Sequence, residues 1–303
     1  MSFFKRWGIF ILERFEPVSH ALMILTFVGA NAYFASALTG ATLKYVDLLL
    51  TVVVCGLIFF HLRLFDEWKD YDVDCQVNPD RPLPRGLIDK REYKFVTAAV
   101  IVLELAVAAL IGWHALLAVL IPIGYSLLML KEFFIGDWLS PRLELYAVTH
   151  TLIAAWIAVF IFAGSTGETI FEIPTHFAVV MAMAWMLFNI FEFARKTFAE
   201  DEERPNVESY SRRLTRLGAS ALVWVPLVAT LVSLYLLVDW GYLSFAPFAI
   251  AAGLSGVVAL TSIGYLVKNT PRFGAIYRNA HSVYLIAVNA VFCVYGGLQM
   301  FVG

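Results

Sequence analysis

An acidic cluster directly follows a long apolar stretch, residues 46–65, and its spacing suits metal chemistry. Five carboxylates occur within nine residues: Asp66, Glu67, Asp70, Asp72 and Asp74. If the apolar helix continues, Asp66, Asp70 and Asp74 share one face, where like charges repel. Mg2+ would relieve that repulsion, because it prefers oxygen ligands and usually takes one or two carboxylates plus substrate phosphates. We predict metal ligation by Asp66, Glu67, Asp70 and Asp74, with Asp70 and Asp74 catalytic.

The next segment places arginines among prolines. It reads NPDRPLPRG, residues 78–86, and contains Arg81 and Arg85. Guanidinium groups match phosphate geometry well. A solvated acidic loop at a helix end is the simpler interpretation of the carboxylates alone. Carboxylates followed by prolines and arginines instead predict a diphosphate site at a membrane surface, with Arg81 as a diphosphate ligand.

A second charged constellation ends a later apolar stretch. Asn189, Glu192, Lys196 and Glu200 follow one another at spacings of three and four and form one polar stripe on a helix. Charges near a membrane interior usually face a cavity or a partner. One interpretation is a simple Glu192–Lys196 ion pair. In the other, Glu192 with Glu200 or Asp201 binds a second cation, while Arg195 and Lys196 contact phosphate oxygens.

The elements that position these residues are predicted to be membrane helices. The 303-residue chain is 60% hydrophobic and 15% charged, with a mean hydropathy of +0.76, which indicates transmembrane segments. Its three cysteines are scattered, so neither a disulfide nor a zinc site is expected. Nine apolar stretches can span a bilayer: 18–38, 46–65, 94–113, 114–130, 145–163, 175–197, 218–238, 243–267 and 281–301.

The basic residues predict the orientation of these spans. With the N-terminus in the cytoplasm, all of the 22 Lys and Arg residues except Lys44 fall on the cytoplasmic side. Loops 66–93 and 198–217 then meet at that face. We predict an all-α, multi-pass membrane protein with one domain, residues 1–303, in a bacterial inner membrane or an equivalent membrane, and no nucleic-acid partner.

The N-terminal residues 1–16 are expected to form an interfacial amphipathic helix. Phe3, Trp7 and Phe10 are predicted to face lipid. We expect this helix to anchor the chain end, and assign it no chemistry.

Both motifs resemble those of the UbiA superfamily of intramembrane prenyltransferases. The family's first motif, NDxxDxxxD followed by a stretch like NxPDRPLPxG, stands here as DExxDxxxD, Asp66 to Asp74, and then NPDRPLPRG. In the second motif, Lys196 stands where the family has its first Asp, and Glu200 where it has the second. The resemblance covers nearly the whole chain and implies nine helices around a central cavity. Lys131 matches a basic position that contacts diphosphate in the family.

The resemblance implies Mg2+-dependent transfer of a prenyl group from a prenyl diphosphate to a small aromatic or lipid-like acceptor. Lys196 is then predicted to be catalytic and, with Arg81, Lys131 and Arg195, to bind diphosphate. Asn189, Tyr146, His150 and Tyr210 are candidates for the acceptor side or the cavity wall. Tyr146 and His150 could equally form a structural hydrogen bond between helices. The unusual second motif leaves a membrane terpene cyclase as an alternative. A transporter is less favoured, because its charges would lie at the bilayer midplane.

Overall fold

The computed structural model describes residues 1–204 and 207–302, with side chains as far as residue 299. Residues 205 and 206, which belong to the predicted loop 198–217, lie outside the described residues. Within the described ranges the regular elements are all helical. The all-α prediction is therefore confirmed.

The helices occur in the following order along the chain: α1 Phe3–Arg14, α2 Pro17–Thr39, α3 Tyr45–Lys69, α4 Tyr71–Val77, α5 Lys90–Ile111, α6 Trp113–Leu130, α7 Gly136–Leu139, α8 Leu143–Thr151, α9 Ile153–Thr166, α10 Phe177–Arg195, α11 Tyr210–Asp239, α12 Phe245–Val267 and α13 Pro271–Val302. Short 3-10 turns cover Glu132–Phe134 and Glu200–Glu202. In the described part of the chain, nine helical segments are long and apolar enough to cross a membrane, with α8 and α9 together forming the fifth. This confirms a multi-pass membrane protein.

Local sequence explains several helix boundaries. Pro17 begins α2, where its missing N–H costs no helical hydrogen bond. Gly40 ends the same helix in the left-handed conformation that glycine tolerates best. Gly112, with φ 152°, separates α5 from α6 and makes a tight helical hairpin. The turn lets two apolar helices pack side by side with a single linking residue.

Helix α9 forms the centre of the bundle. Every residue of 157–165 is buried, and α2, α3, α6 and α10 pack around this helix. Helix α13 packs against both α2 and α10. The bundle interior around residues 157–165 of α9 is therefore filled by side chains.

Helix α1 differs from its predicted placement. Phe3 is 42% exposed, but Trp7 and Phe10 are only 6% and 0% exposed and pack in a cluster that includes Leu64 and Tyr93. The prediction that Trp7 and Phe10 face lipid is wrong, because the rest of the chain offers an apolar surface to cover them. Arg14 Nε also donates to Glu67 Oε1 at 2.7 Å. Helix α1 thus braces the first acidic motif.

The last eight residues of the predicted loop 198–217 are helical and belong to α11. Ser209 caps α11, its hydroxyl accepting from the Arg212 N–H at 3.1 Å, so helix begins at Tyr210. Ser209 and Ser211 both donate to the Glu203 carboxylate, at 2.7 and 2.6 Å. These hydrogen bonds join residues that are close in sequence, but a hydropathy pattern cannot predict them.

An ion pair ties this segment to α13, and it predicts a pH dependence. Arg278 donates to both Glu202 oxygens, one contact being 2.9 Å, and this hydrogen bonding lowers the pKa of Glu202 below its ordinary 4.5. A carboxyl with a lowered folded pKa stabilises the fold above its unfolded pKa, and this stabilisation is lost as pH falls through the folded value. We expect Glu202→Gln to cost about 1–2 kcal/mol at pH 7 and progressively less below pH 4.5.

Thermal unfolding of the detergent-solubilised protein at a series of pH values measures this difference. Asp201→Asn, at the exposed neighbouring position, is the matched control and should change the unfolding temperature little at any pH. If Glu202→Gln lowers the unfolding temperature as much at pH 3 to 4 as at pH 7, the expectation is wrong.

Candidate active site

A cavity of about 410 Å³ opens where α3 and α10 end and α8 begins. Its rim is charged and its depth is apolar. The lining residues are Phe59, Leu62, Asp66, Lys69, Asp70, Met129, Tyr146, Ala147, His150, Thr151, Ile153, Phe188, Phe191, Glu192, Arg195 and Lys196. Residues from both predicted motifs therefore meet in one cavity, although more than 100 residues separate them in the sequence.

The acidic side of the rim comes from the end of α3. Asp70 is the C-cap of this helix, and its N–H donates to the Asp66 carbonyl at 2.9 Å. This bond keeps the helical register, so both carboxylates line the cavity on successive turns. Partial desolvation raises the pKa of Asp70, and the nearby Lys69 ammonium opposes that rise. The positive charges of the protein around Asp70 therefore do not fully offset the cost of burying its carboxylate.

The basic side of the rim comes mainly from α10. Lys196 Nζ lies 3.1 Å from Glu192 Oε1, and Arg195 pairs with the other Glu192 oxygen. The simple ion pair considered from the sequence is therefore present, and Lys196 nevertheless lines the cavity. Glu192 holds both cations in place, which restricts their rotamers.

Lys69 is a cavity residue that the sequence prediction omitted. Its ammonium donates to the Tyr146 hydroxyl and lies 5.1 Å from the centre of that ring. The available signal was its position, three residues after Asp66 and within the same motif, which puts both on one helical face. Lys69 faces the cavity together with the two aspartates.

The charges on the rim balance. Three cationic side chains, Lys69, Arg195 and Lys196, face three carboxylates, those of Asp66, Asp70 and Glu192. A diphosphate approaching this rim would meet attraction from the cations and repulsion from Asp66 and Asp70. A divalent cation between the aspartates and the diphosphate removes the repulsion, so these two side chains suit one Mg2+.

His150 lines the cavity, and one of its ring nitrogens has no hydrogen-bond partner among the described residues. Its ring stacks on that of Tyr146, with centroids 3.9 Å apart and planes 15° apart, and its Nδ1 lies 2.7 Å from the Tyr146 carbonyl oxygen. Because a carbonyl only accepts, Nδ1 carries the hydrogen, and in the neutral ring Nε2 has a free lone pair. Nε2 is buried without a hydrogen-bond partner among the described residues.

The other two candidates for the acceptor side lie behind the cavity wall. Asn189 accepts from the Thr151 hydroxyl at 2.9 Å, and Thr151 lines the cavity. Tyr210 is fully buried and packs edge-on against Phe193. Both residues shape the wall, and neither reaches the cavity surface.

Two members of the first motif point elsewhere. Glu67 is buried and accepts from Arg14 and Arg63, because one residue turns a helix by about 100° and so directs Glu67 away from the face of Asp66. Asp74 lies on α4 and accepts from Arg81 at 2.6 Å. The structure thus groups Asp74 and Arg81 with each other, outside the cavity lining.

Two further predicted residues are also outside the lining. Glu200 accepts from the Asn269 amide at 3.0 Å and borders a separate groove beside Arg212 and Arg216. Lys131 is the exposed C-cap of α6. In the described part of the chain, no three His, Cys, Asp or Glu side chains gather as a metal cluster. Of the predicted metal ligands, Asp66, Asp70 and Glu192 line the cavity.

A buried polar network near the cavity was not predicted. His61 Nδ1 lies 2.6 Å from Glu104 Oε1, and His61 Nε2 lies 2.9 Å from Ser126 Oγ. All three side chains are fully buried. The contacts link α3, α5 and α6 where isolated polar groups would be costly, and so fix the helix that carries Asp66.

Comparison with known proteins agrees with this architecture. A sequence profile of the UbiA prenyltransferase family matches residues 22–273, whereas no curated protein matches the sequence. Among solved structures, a UbiA homologue from Aeropyrum pernix K1 has 18% identity, covering 94% of this chain and 99% of that chain, with a TM-score of 0.63. A digeranylgeranylglyceryl phosphate synthase structure has 16% identity, covering 94% and 99%, with a TM-score of 0.61.

A third similar structure carries ligands. It is a UbiA homologue from Archaeoglobus fulgidus bound to GPP and Mg2+, with 17% identity, coverage of 94% of this chain and 99% of that chain, and a TM-score of 0.53. At these identities the structural similarities establish the fold.

Proposed function

The chain belongs to the UbiA prenyltransferase family, and we propose that it transfers the prenyl group of a prenyl diphosphate to a small aromatic or lipid-like acceptor, with Mg2+. One observation carries this proposal. A single cavity combines the Asp66 and Asp70 carboxylates with the cations Lys69, Arg195 and Lys196 above an apolar interior. Such a cavity can bind a charged head and a hydrocarbon tail together.

Asp66 and Asp70 are the residues that would bind Mg2+, together with diphosphate oxygens. Bound there, the ion supplies charge neutralisation for the leaving diphosphate. The Archaeoglobus homologue with bound GPP and Mg2+ supports the use of this ion. Glu192 is already paired with Arg195 and Lys196. We therefore propose that these two cations, and not a second metal ion, neutralise the diphosphate on the α10 side.

Lys69, Arg195 and Lys196 are proposed to donate hydrogen bonds to the diphosphate. Negative charge on the diphosphate grows as the bond between the allylic carbon and oxygen breaks, so fixed donors stabilise the transition state more than the ground state. The allylic carbon then bonds to the acceptor, which loses a proton. The apolar depth of the cavity keeps water from competing for that carbon.

His150 is proposed to accept the acceptor's proton at Nε2. Its Nδ1 hydrogen bond to Tyr146 keeps the free lone pair on the nitrogen that lacks a partner. We expect His150→Gln to lower the rate of prenyl transfer by about 10²–10⁴-fold, the usual contribution of a positioned base, with binding of the prenyl diphosphate unchanged.

His150→Phe is the matched variant, because it keeps an aromatic ring to stack on Tyr146 but lacks the nitrogen. Single-turnover product formation and diphosphate binding would be measured for both variants. If either variant transfers the prenyl group at the wild-type rate, His150 is not the base.

Incubation of the purified protein with Mg2+, prenyl diphosphates and candidate acceptors, followed by mass spectrometry, tests the function. Diphosphate release that depends on an acceptor, together with a prenylated product, is the expected result. Release without an acceptor and with a cyclised hydrocarbon would identify a terpene cyclase instead. If no diphosphate is released under any condition, both the prenyltransferase and the terpene cyclase functions are wrong.

We propose that the N-terminus and the cavity mouth face the cytoplasm, since nearly all Lys and Arg residues lie at that end. Cys75 provides a native probe, because it is exposed on α4 near the mouth, whereas Cys55 is buried. A membrane-impermeant maleimide should label Cys75 in inverted vesicles and not in intact cells. Equal labelling of Cys75 in intact cells would reverse the orientation.

A further inference from the structure

Three phenylalanines close the deep end of the cavity. Phe59 of α3 and Phe188 of α10 both line it, and their rings stack with centroids 5.8 Å apart and planes 12° apart. Phe27 of α2 packs edge-on against Phe188 at 5.4 Å and against Phe59 at 6.4 Å. Two rings face the cavity, and the third supports them from behind.

Behind these rings the bundle is solid. Phe27 is 0% exposed, as are Val54 and Ile58 on α3, and residues 157–165 of the central helix α9 are all buried. Interiors packed in this way leave little room for additional chain. A hydrocarbon tail entering from the rim therefore meets a wall at Phe59 and Phe188.

The distance from rim to wall is short. Phe59 precedes Asp66 by seven residues on α3, which is about 10 Å along the helix axis. Phe188 precedes Lys196 by eight residues on the α10 side, or about 12 Å. A geranyl chain in an extended conformation spans approximately this depth, and longer prenyl chains exceed it. The whole cavity, at about 410 Å³, must also accommodate the diphosphate.

On the proposed function, we infer that this site uses a short-chain prenyl diphosphate, with a dimethylallyl or geranyl tail, and that Phe59 and Phe188 set the upper limit on tail length. The diphosphate lies at the Asp66–Asp70 end, and the tail points down α3 toward the two rings. A longer tail would have to displace Phe188 from its stack or leave the cavity sideways, and either costs packing contacts.

The test compares dimethylallyl, geranyl, farnesyl and geranylgeranyl diphosphates with the wild-type protein and with Phe188→Ala and Phe59→Ala. Wild type should prefer geranyl over geranylgeranyl diphosphate in kcat/KM by at least about tenfold, and each variant should shift that ratio toward the longer chain by a similar factor. Phe188→Leu removes the ring with a smaller loss of volume, and serves if the alanine variant does not fold. Thermal shifts with the matching thiolodiphosphates report tail binding without turnover.

Phe60→Ala is the matched control. Phe60 is the next residue on α3, and its ring packs on Phe10 and Phe15 of the N-terminal region, away from the cavity. Its removal should leave the chain-length ratio unchanged. Equal use of all four diphosphates by wild type, or the same shift in Phe60→Ala as in Phe188→Ala, overturns the chain-length inference alone. Failure of all four diphosphates to bind or react overturns the proposed function, and the inference with it.

Discussion

Replacing Asp70 with asparagine is expected to lower kcat/KM for the prenyl diphosphate by at least about 100-fold, because neutralisation of a leaving group by a metal ion is worth several kcal/mol. Asp66→Asn should have a comparable effect. These are the cavity carboxylates without a close ion-pair partner among the described residues, and asparagine keeps their size while removing their charge. Mg2+-dependent diphosphate release measures the loss.

Neighbouring carboxylates provide the controls for this prediction. Asp72 is exposed and outside the cavity lining, so Asp72→Asn should retain activity close to wild type. Asp74 is paired with Arg81. Asp74→Asn should therefore lower the unfolding temperature, while its rate of diphosphate release should fall much less than that of Asp70→Asn. Near-normal turnover by Asp70→Asn at limiting Mg2+ would show that Asp70 does not bind the metal.

Lys196→Ala is expected to raise KM for the prenyl diphosphate about 10- to 100-fold and to slow diphosphate release, because a charge-assisted hydrogen bond contributes roughly 1.5–3 kcal/mol. The side chain lines the cavity and is oriented by Glu192 at 3.1 Å. Steady-state kinetics over a range of prenyl diphosphate concentrations measures both effects.

Two further variants separate a phosphate contact from other roles of Lys196. Lys131→Ala removes a lysine that is exposed at the end of α6 and outside the cavity lining, and its KM should change little. Lys196→Asp should be at least as impaired as Lys196→Ala at every Mg2+ concentration. If Lys196→Asp instead keeps activity with a steeper Mg2+ dependence, a side chain at position 196 can bind a metal ion. Unchanged kinetics in Lys196→Ala would show that Lys196 forms an ion pair with Glu192 and does not contact the diphosphate.

The sequence by itself determined the fold class and the general position of the site. Hydropathy is a local property with a clear length requirement, so all nine spans could be located, seven of them to within four residues at each end. Asp66 and Asp70 lie at the end of an apolar stretch, and Glu192, Arg195 and Lys196 lie at the end of another. The alternation of spans placed both ends at the same side of the bundle.

Helix boundaries were harder to predict, because they depend on hydrogen bonds of single residues. The fifth span divides into α8 and α9 at Leu152. Helix α11 begins at Tyr210, eight residues before the predicted start at 218, and includes Thr215 with φ 63°. Such a conformation is uncommon for a β-branched residue, and it carries no signal in the hydropathy pattern.

Only the tertiary structure decided which charged residues face the cavity. Within the acidic cluster, Glu67 contacts Arg14 of α1 and Asp74 contacts Arg81, while Lys69 joins the cavity. All of these residues have the charge and the spacing that a diphosphate site requires. Their roles differ because the rotation of α3 about its axis, and the docking of α1 against it, depend on packing partners distant in the sequence. A periodic pattern shows which residues share a helical face, but not what that face meets.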